Sequence, residues 1–422
     1  MNKTPRARRP LHHPVGRVSH PPRKLRTGRT YWQSRPMPRI PAASLHVDQK
    51  TEILVIGAGI TGAMAAEALT AAGWRVTIVD RRGPLQGATA ATTALLQYEI
   101  DVPLTTLQKT MGPVAAARAW RRSKLGLESL AAKVQSLGIR CAYRRVSSLY
   151  LAGPLLDAAG LAHECQARNA IGLHTAYLTR QALQARYGIR RGAALLSFDT
   201  LSVDPLQLAA GFLRRALANG AQLLAPVTVD EVECGPASVS VRTSAGPVLT
   251  ARYVVYAMGY ETPQAVRPPG YTVHSTYAIA TRPQPQQLWP ERCHIWEAAS
   301  PYLYARTTPD GRVLCGGEDE DFQDEATRDA LLGPKTARLE AKLRRLLPQL
   351  DCQAAFAWCG SFGASPTGLP TIGAIPHRPG CFVILAFGGN GITYSRIAAE
   401  VLTTQLTGQP DVDADLFAFP EA

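Results

Sequence analysis

The chain alternates between short apolar runs and longer segments of mixed pattern. Ile53-Leu54-Val55-Ile56 is apolar throughout, and Val76-Thr77-Ile78-Val79 is broken only by one Thr. Such runs predict strands buried on both faces of a parallel sheet. Between them, Thr61 to Ala72 is rich in helix formers and stops at Gly73, which predicts a helix with a glycine just past its end. An apolar run emptying into glycine recurs twice: Tyr253 to Met258 ends at Gly259, and Cys381 to Phe387 ends at Gly388-Gly389-Asn390-Gly391. A helix follows the latter, with Ile397, Val401, Leu402 and Leu406 on one side. Further helices are predicted over 115–137, 155–190 and 207–219, and strands over 143–152 and 222–229. Residues 238–242 and 249–258 form a hairpin-like pair, and Tyr302 to Arg306, the Pro309-Asp310-Gly311 turn and Arg312 to Cys315 predict another.

At 422 residues, two domains are expected rather than one. No run of 18 or more apolar residues occurs, so no membrane span is expected. The eight cysteines (141, 165, 234, 293, 315, 352, 359, 381) contain no CxxC pair. That spacing fits neither a zinc site nor a disulfide framework and predicts a reducing, cytoplasmic setting. His163-Glu164 has no further ligand at helical spacing, so no metal is expected. The net charge of +14 is concentrated: residues 1–47 hold eleven Lys or Arg and no acid, which leaves +3 for all the rest. This Pro- and His-rich stretch has no helix or strand period, so 1–47 reads as a largely disordered basic arm, with Tyr31-Trp32 available to dock on the body. A solvated tail is the plainer reading; a tether to nucleic acid is the alternative, not the expectation.

The first glycine-rich turn carries chemistry. Gly57-Ala58-Gly59-Ile60-Thr61-Gly62 joins a buried strand to a helix, and Asp80 closes the next strand. Gly57 permits the tight turn, Gly59 lets backbone approach a pyrophosphate, and Gly62 lets the helix pack on the strand. The helix N-terminus favours phosphate, and an acid at Asp80 suits ribose hydroxyls. Three such units at 53, 253 and 381 predict an α/β fold with a discontinuous Rossmann-like cofactor domain (48–110, 198–262 and 346–422). The intervening 111–197 and 263–345 are assigned to a second, α+β substrate domain built on an antiparallel sheet. Residues 271–306 there are rich in Tyr, Trp and His, as a pocket wall would be.

Beyond this turn and Asp80, the chain carries Gly87-Ala88-Thr89-Ala90-Ala91-Thr92-Thr93, Val-Val-Tyr-Ala-Met-Gly at 254–259 and Gly-Arg-Val-Leu-Cys-Gly-Gly at 311–317. Gly-Leu-Pro-Thr-Ile-Gly at 368–373 and Phe-Gly-Gly-Asn-Gly-Ile at 387–392 complete the set. In this order, from residue 48 to the end, the chain resembles the D-amino-acid oxidase / glycine oxidase superfamily of FAD-dependent oxidoreductases. The resemblance implies FAD along the sheet edge and hydride transfer from a C–H next to nitrogen to flavin N5. It implies a small amine or amino acid as substrate, with oxygen or another electron acceptor. The implied cofactor-facing residues are Gly57, Gly59, Ile60, Thr61, Gly62, Asp80, Arg81, Thr89, Val227, Gly259, Gly389, Asn390, Gly391 and Ile392. A helix starting at Gly391–Ile392 would face the negative charge that gathers near flavin N1.

Two departures bear on the substrate. The family's carboxylate-binding Arg falls on Phe362 when the 368–373 segment is aligned, and Thr367 stands where Asp is usual. Cys359 lies one residue from where the sarcosine-oxidase branch tethers flavin, and it reads as a core thiol. In the 302–306 strand, Tyr302, Tyr304 and Arg306 share one face, so Arg306 is the candidate to pair with a substrate carboxylate while the tyrosines orient it. The competing reading has Arg306 in water or paired with Glu297 or Glu318. Rival functions are an NAD-dependent dehydrogenase, a flavoprotein acting on RNA-borne amines and a non-catalytic redox-sensing binder.

Overall fold

The computed structural model describes residues 22–385, 387–409 and 411–420. Its strands form two sheets. In the first, the order is Thr371–Ala374, Cys381–Leu385, Val248–Tyr256, Gln49–Ile56, Val76–Val79, Gln222–Leu224. Along this row all neighbours are parallel except the outermost pair, 371–374 with 381–385, and the antiparallel pair Val229–Cys234 and Val239–Thr243 adds to 248–256. The apolar runs take the centre because parallel strands there bury both faces: Ile53, Leu54, Val55, Val254 and Val255 are wholly buried. Three distant runs therefore become neighbours, with Ile53 opposite both Val76 and Tyr253, and Val254 opposite Cys381. The helix Ile60–Ala71 packs against Pro205–Ala218 and Gly391–Leu406. Its small side chains permit that approach, so it has no solvent face of the ordinary kind.

The second sheet has ten strands, mostly antiparallel, in the order Arg26–Gly28, Ala354–Ala364, Thr272–Thr281, Val313–Glu320, Leu303–Thr307, His294–Glu297, Arg144–Leu151, Ala193–Ser202, Leu95–Leu96; Thr175–Thr179 adds to 193–202. Sheet membership departs from the expected partition. The 354–364 strand, assigned to the cofactor side, pairs along its length with 272–281, and a boundary at 198 would cut the 193–202 strand in half. An apolar strand carries no local mark of which sheet it will join; long-range pairing decides. The expected helix over 155–190 is also two helices, Ala158–Ala170 and Arg180–Tyr187, with the 175–179 strand between them. Gly172 at φ +79° ends the first, and the Thr179 side chain accepts from Ala182 N–H to start the second.

The larger correction concerns the arm. Residues 1–21 of the expected disordered segment lie outside the described residues, but 22–47 are built into the body. Arg26–Gly28 pairs with Trp358 to Gly360 at the edge of the second sheet. Tyr31 and Trp32 are 2% and 1% exposed, with Tyr31 Oη donating to Asp310 at 2.7 Å and Trp32 Nε1 to the Thr92 carbonyl at 2.6 Å. A Pro- and His-rich basic stretch without period suggested disorder, yet two aromatic rings and a short strand anchor this strap. The basic side chains find fixed partners: Lys24 pairs with Asp329 at 2.7 Å, and Arg26 donates to the carbonyls of Gln86 and Gly87. Among the described residues, no helix is long and apolar enough to cross a membrane.

Candidate active site

One cavity runs between the two sheets. Its first end is made of backbone. Gly57 takes φ +117°, and a Cβ there would lie 2.3 Å from the Ala257 carbonyl oxygen, so only glycine lets strand 49–56 end against strand 248–256. A Cβ on Gly62 would lie 1.9 Å from Gly57 O, which fixes the close seat of helix on turn. Gly59 is different: a Cβ would meet only Thr89 Oγ1, at 3.2 Å, so its surroundings are open toward the cavity. Thr89 Oγ1 accepts from Ile60 N–H at 3.0 Å, and Thr61 Oγ1 bonds Ser395 Oγ at 2.9 Å, tying two helix starts together.

Asp80 stands beside this turn. One carboxylate oxygen accepts from Ala58 N–H at 2.8 Å, and the other from Arg82 and Gly83 N–H at 2.8 and 3.0 Å. Burial pushes its carboxyl up, against the pull of those three amides. The oxygen met only by Ala58 keeps acceptor capacity for a ribose hydroxyl. Beyond it, Glu261 takes a bidentate pair from Arg82 at 2.5 and 2.7 Å, with Arg81 at 3.6 Å and the Arg23 amide at 2.8 Å. Burial raises the Glu261 carboxyl, but these donors and cations overcome it and hold it below the ordinary range. The strap thus closes one wall, with Leu25 lining the cavity and Arg82 donating to Arg23 O. A helix N-terminus, an open glycine and an acid form a donor set that fits the ADP half of FAD.

The second end is made of side chains. Trp296, Tyr302, Tyr304, Phe362, Asp101 and Thr276 line it. Trp296 stacks on Tyr150 at 3.8 Å, and the rings of Tyr302 and Tyr304 lie 5.7 Å apart. Gly316 makes this possible, since a Cβ there would fall 2.2 Å from Tyr304 Oη. Burial raises both hydroxyls, so they remain protonated donors. Asp101 accepts from Gly389 N–H at 2.6 Å, and its carboxyl is raised by the surrounding protein. The loop carrying it is held from behind by a buried ion cluster: Arg168 bonds Glu99 at 2.6 Å and Glu164 at 2.8 Å. Glu164 also accepts from Leu104 and Thr105 N–H, and Glu99 O accepts from Asn390 Nδ2 at 2.6 Å. The Glu164 of the His-Glu pair is therefore part of a structural ion cluster.

The structure brings Gly57, Gly59, Ile60, Thr61, Asp80, Arg81, Thr89, Val227, Gly259, Gly389, Asn390, Gly391, Ile392, Tyr302 and Tyr304 to this one cavity. Gly62 stands behind it as packing. Arg306 is the correction: it is 1% exposed and outside the cavity lining, and it neither faces water nor pairs with Glu297 or Glu318. Its guanidinium donates to the carbonyls of Thr93, Ala94, Val203 and Thr307 and lies 5.6 Å from the Trp32 ring. Burial lowers it to about 10. It follows Tyr304 along the strand, but at that point the cavity wall of residues 93–94 has already closed over it. Cys359 also turns away from the cavity, with Sγ 3.5 Å from Asp329 and 3.9 Å from Thr27 O. Sequence reasoning missed Asp101, Leu25 and the individual role of Trp296. Asp101 follows no motif; only its nearness to the Gly388–Gly389 turn gives it meaning.

Comparison with known proteins agrees with this geometry. The family model described as FAD dependent oxidoreductase matches residues 52–405. Among curated proteins, the chain is 25% identical over 409 residues to the tRNA 5-methylaminomethyl-2-thiouridine biosynthesis bifunctional protein of Cupriavidus necator, covering 86% of this chain and 58% of that one. It therefore spans less than two thirds of that bifunctional relative. It is 23% identical over 386 residues to the gamma-glutamylputrescine oxidoreductase of Escherichia coli, covering 88% of this chain and 87% of the relative. Among solved structures, glycine oxidase from Geobacillus kaustophilus superposes with a TM-score of 0.72 at 18% identity, over 88% of this chain and 99% of that one. Iminodiacetate oxidase from Chelativorans sp. BNC1 superposes with a TM-score of 0.70 at 22% identity, over 88% of this chain and all of its own.

Proposed function

The chain belongs to the FAD dependent oxidoreductase family of D-amino-acid oxidase type, and from that membership we propose that it oxidises a small amine or amino acid at a C–N bond. The observation supporting this reading is the continuity of the cavity: it starts at the Gly57–Asp80 turn and ends among Trp296, Tyr302 and Tyr304 of the other sheet. FAD, when bound, supplies a two-electron acceptor for the hydride of the C–H next to nitrogen. Gly57, Gly59, Ile60, Asp80 and Val227 would hold its ADP half, and Gly389 to Ile392 its pyrimidine edge. The aromatic walls orient the substrate and exclude water, and the neutral tyrosine hydroxyls offer hydrogen bonds. Dinucleotide binding by nicotinamide instead of flavin, a rival reading of the sequence, is set aside by the family. The electron acceptor is proposed to be oxygen or a soluble carrier, and the setting cytoplasmic, in keeping with eight free cysteines.

The test follows the flavin spectrum without oxygen while amines and amino acids are added in turn. Loss of the oxidised bands with one class of amine supports the reading; a spectrum unmoved by every amine sinks it. A second reading, action on an RNA-borne amine, is supported by the bifunctional tRNA relatives and the basic residues of 1–21. Salt-sensitive RNA binding lost on removing 1–21 would favour it.

A further inference from the structure

The end of the cavity where an amine would sit has an unusual charge balance. Among the described residues lining the whole cavity, the cations are Arg81 and Arg82, both beside Glu261 at the phosphate end. At the other end stands the carboxylate of Asp101. A second carboxylate, Asp319, lies behind it beside the hydroxyls of Tyr302 and Thr276, with both oxygens closed off from solvent. The cation that acts on Asp319 is Lys335, already engaged by Glu320 at 2.5 Å, by Glu318 at 3.3 Å and by the Glu318 carbonyl at 2.8 Å. Asp101 is met by Gly389 N–H and otherwise faces Asp319 and the hydroxyls of Tyr302 and Tyr394. Asp101 is open to the cavity, and no cation lines that end among the described residues, so a cation entering there would be attracted.

We propose that the amine oxidised here enters as an ammonium ion with no carboxylate on the reacting carbon, and that Asp101, backed by Asp319 and walled by Trp296, Tyr302 and Tyr304, receives it. The inference rests on the amine-oxidation reading above and narrows it to uncarboxylated amines. An amino-acid carboxylate would meet two like charges and no guanidinium, whereas an ammonium ion meets a carboxylate and aromatic faces, each attractive to a cation. The proton balance also fits. Oxidation breaks the C–H bond, whose hydride goes to the flavin, and forms C=N. The ammonium must shed a proton first, and the Asp101 carboxylate takes it. Burial raises the Asp101 carboxyl above its ordinary value, the direction that a proton acceptor needs.

The experiment uses the FAD-loaded full chain without oxygen, with n-butylamine, 1,4-diaminobutane, glycine and sarcosine as probes, read by flavin absorbance. The two uncarboxylated amines are expected to bleach the flavin, and Asp101→Asn to raise their half-saturating concentration at least tenfold at equal FAD content. Because Asp101→Asn also touches the flavin-edge turn, Phe362→Arg serves as a second variant. It adds a cation to the same wall and should weaken the uncarboxylated amines while improving sarcosine. Preference of the parent protein for glycine or sarcosine overturns the proposal and leaves amine oxidation standing. Bleaching by none of the four, with none in a wider screen of amines, overturns both. Uncarboxylated amines that bind equally well to both variants overturn the assignment to this site.

Discussion

The two ends of the cavity are built by different means. The phosphate end uses backbone amides, three glycines and one acid drawn from a stretch of about thirty residues, and a single short-range pattern specifies it. The substrate end uses side chains from five separated places, namely Asp101, Trp296, the Tyr302–Tyr304 pair, Asp319 and Phe362, with no spacing rule among them. On the proposed reading the first end would hold the cofactor common to the family. The second would meet the substrate, and so carries the functional question. Fixed backbone is intolerant of change, while a wall of side chains can be altered without dismantling the fold.

That contrast can be broken from the phosphate end first. Gly62→Val would drive a Cβ to 1.9 Å from Gly57 O, so helix and turn cannot both keep their places. The expected cost is roughly 3 kcal/mol or more, with little soluble FAD-loaded protein; near-normal flavin content and melting temperature would contradict it. Next comes the strap. Removing residues 1–35 takes away the buried Tyr31 and Trp32 and the Leu25 wall, for a loss of roughly 3 kcal/mol and faster FAD release. Removing 1–21 leaves all those contacts in place and should change neither; identical behaviour of the two truncations would show that the strap closes nothing. Asp80→Ala comes third. Deleting one charged acceptor should weaken FAD binding by about 1.5–3 kcal/mol, measured by fluorescence titration of the apoprotein, while the amine preference of whatever protein remains loaded stays as before.

The smallest effect sharpens the comparison from the substrate end. Burial raises the Asp319 carboxyl from 3.8 to about 6 in the folded protein. An acid raised on folding favours the folded state fully below pH about 4, and that contribution is lost as pH rises through about 6. Asp319→Asn should therefore gain stability relative to the parent between pH 5 and 7, by about 1–2 kcal/mol. A difference that does not change with pH would mean that the carboxylate is already balanced in the folded protein.

What the sequence made legible follows the same division. The 53–80 unit, the Gly259 turn and the Gly388–Gly391 turn could be read because buried parallel strands and glycine turns leave local marks. Arg306 was misread because alternation along a strand gives the face but not where the cavity ends; the 93–94 carbonyls that close over it come from more than 200 residues away. Asp101 and Asp319 were invisible because each acquires meaning only from groups distant in sequence. The 26–28 strand was hidden in a basic composition, and its partner at 358–360 lies near the other end of the chain.

That last pairing sets an order of events during synthesis. A growing polypeptide presents residues 22–35 first, but Asp310, Asp329 and Cys359, which hold them, lie 279 to 332 residues further on. At roughly 5–20 residues per second the ribosome needs on the order of 15–60 s to deliver those partners. Throughout that interval residues 49–89, one wall of the nucleotide cleft, are already made but lack their strap. The strap can therefore seat only after Val248–Tyr256, the strand that the Gly57 turn closes against, has been made.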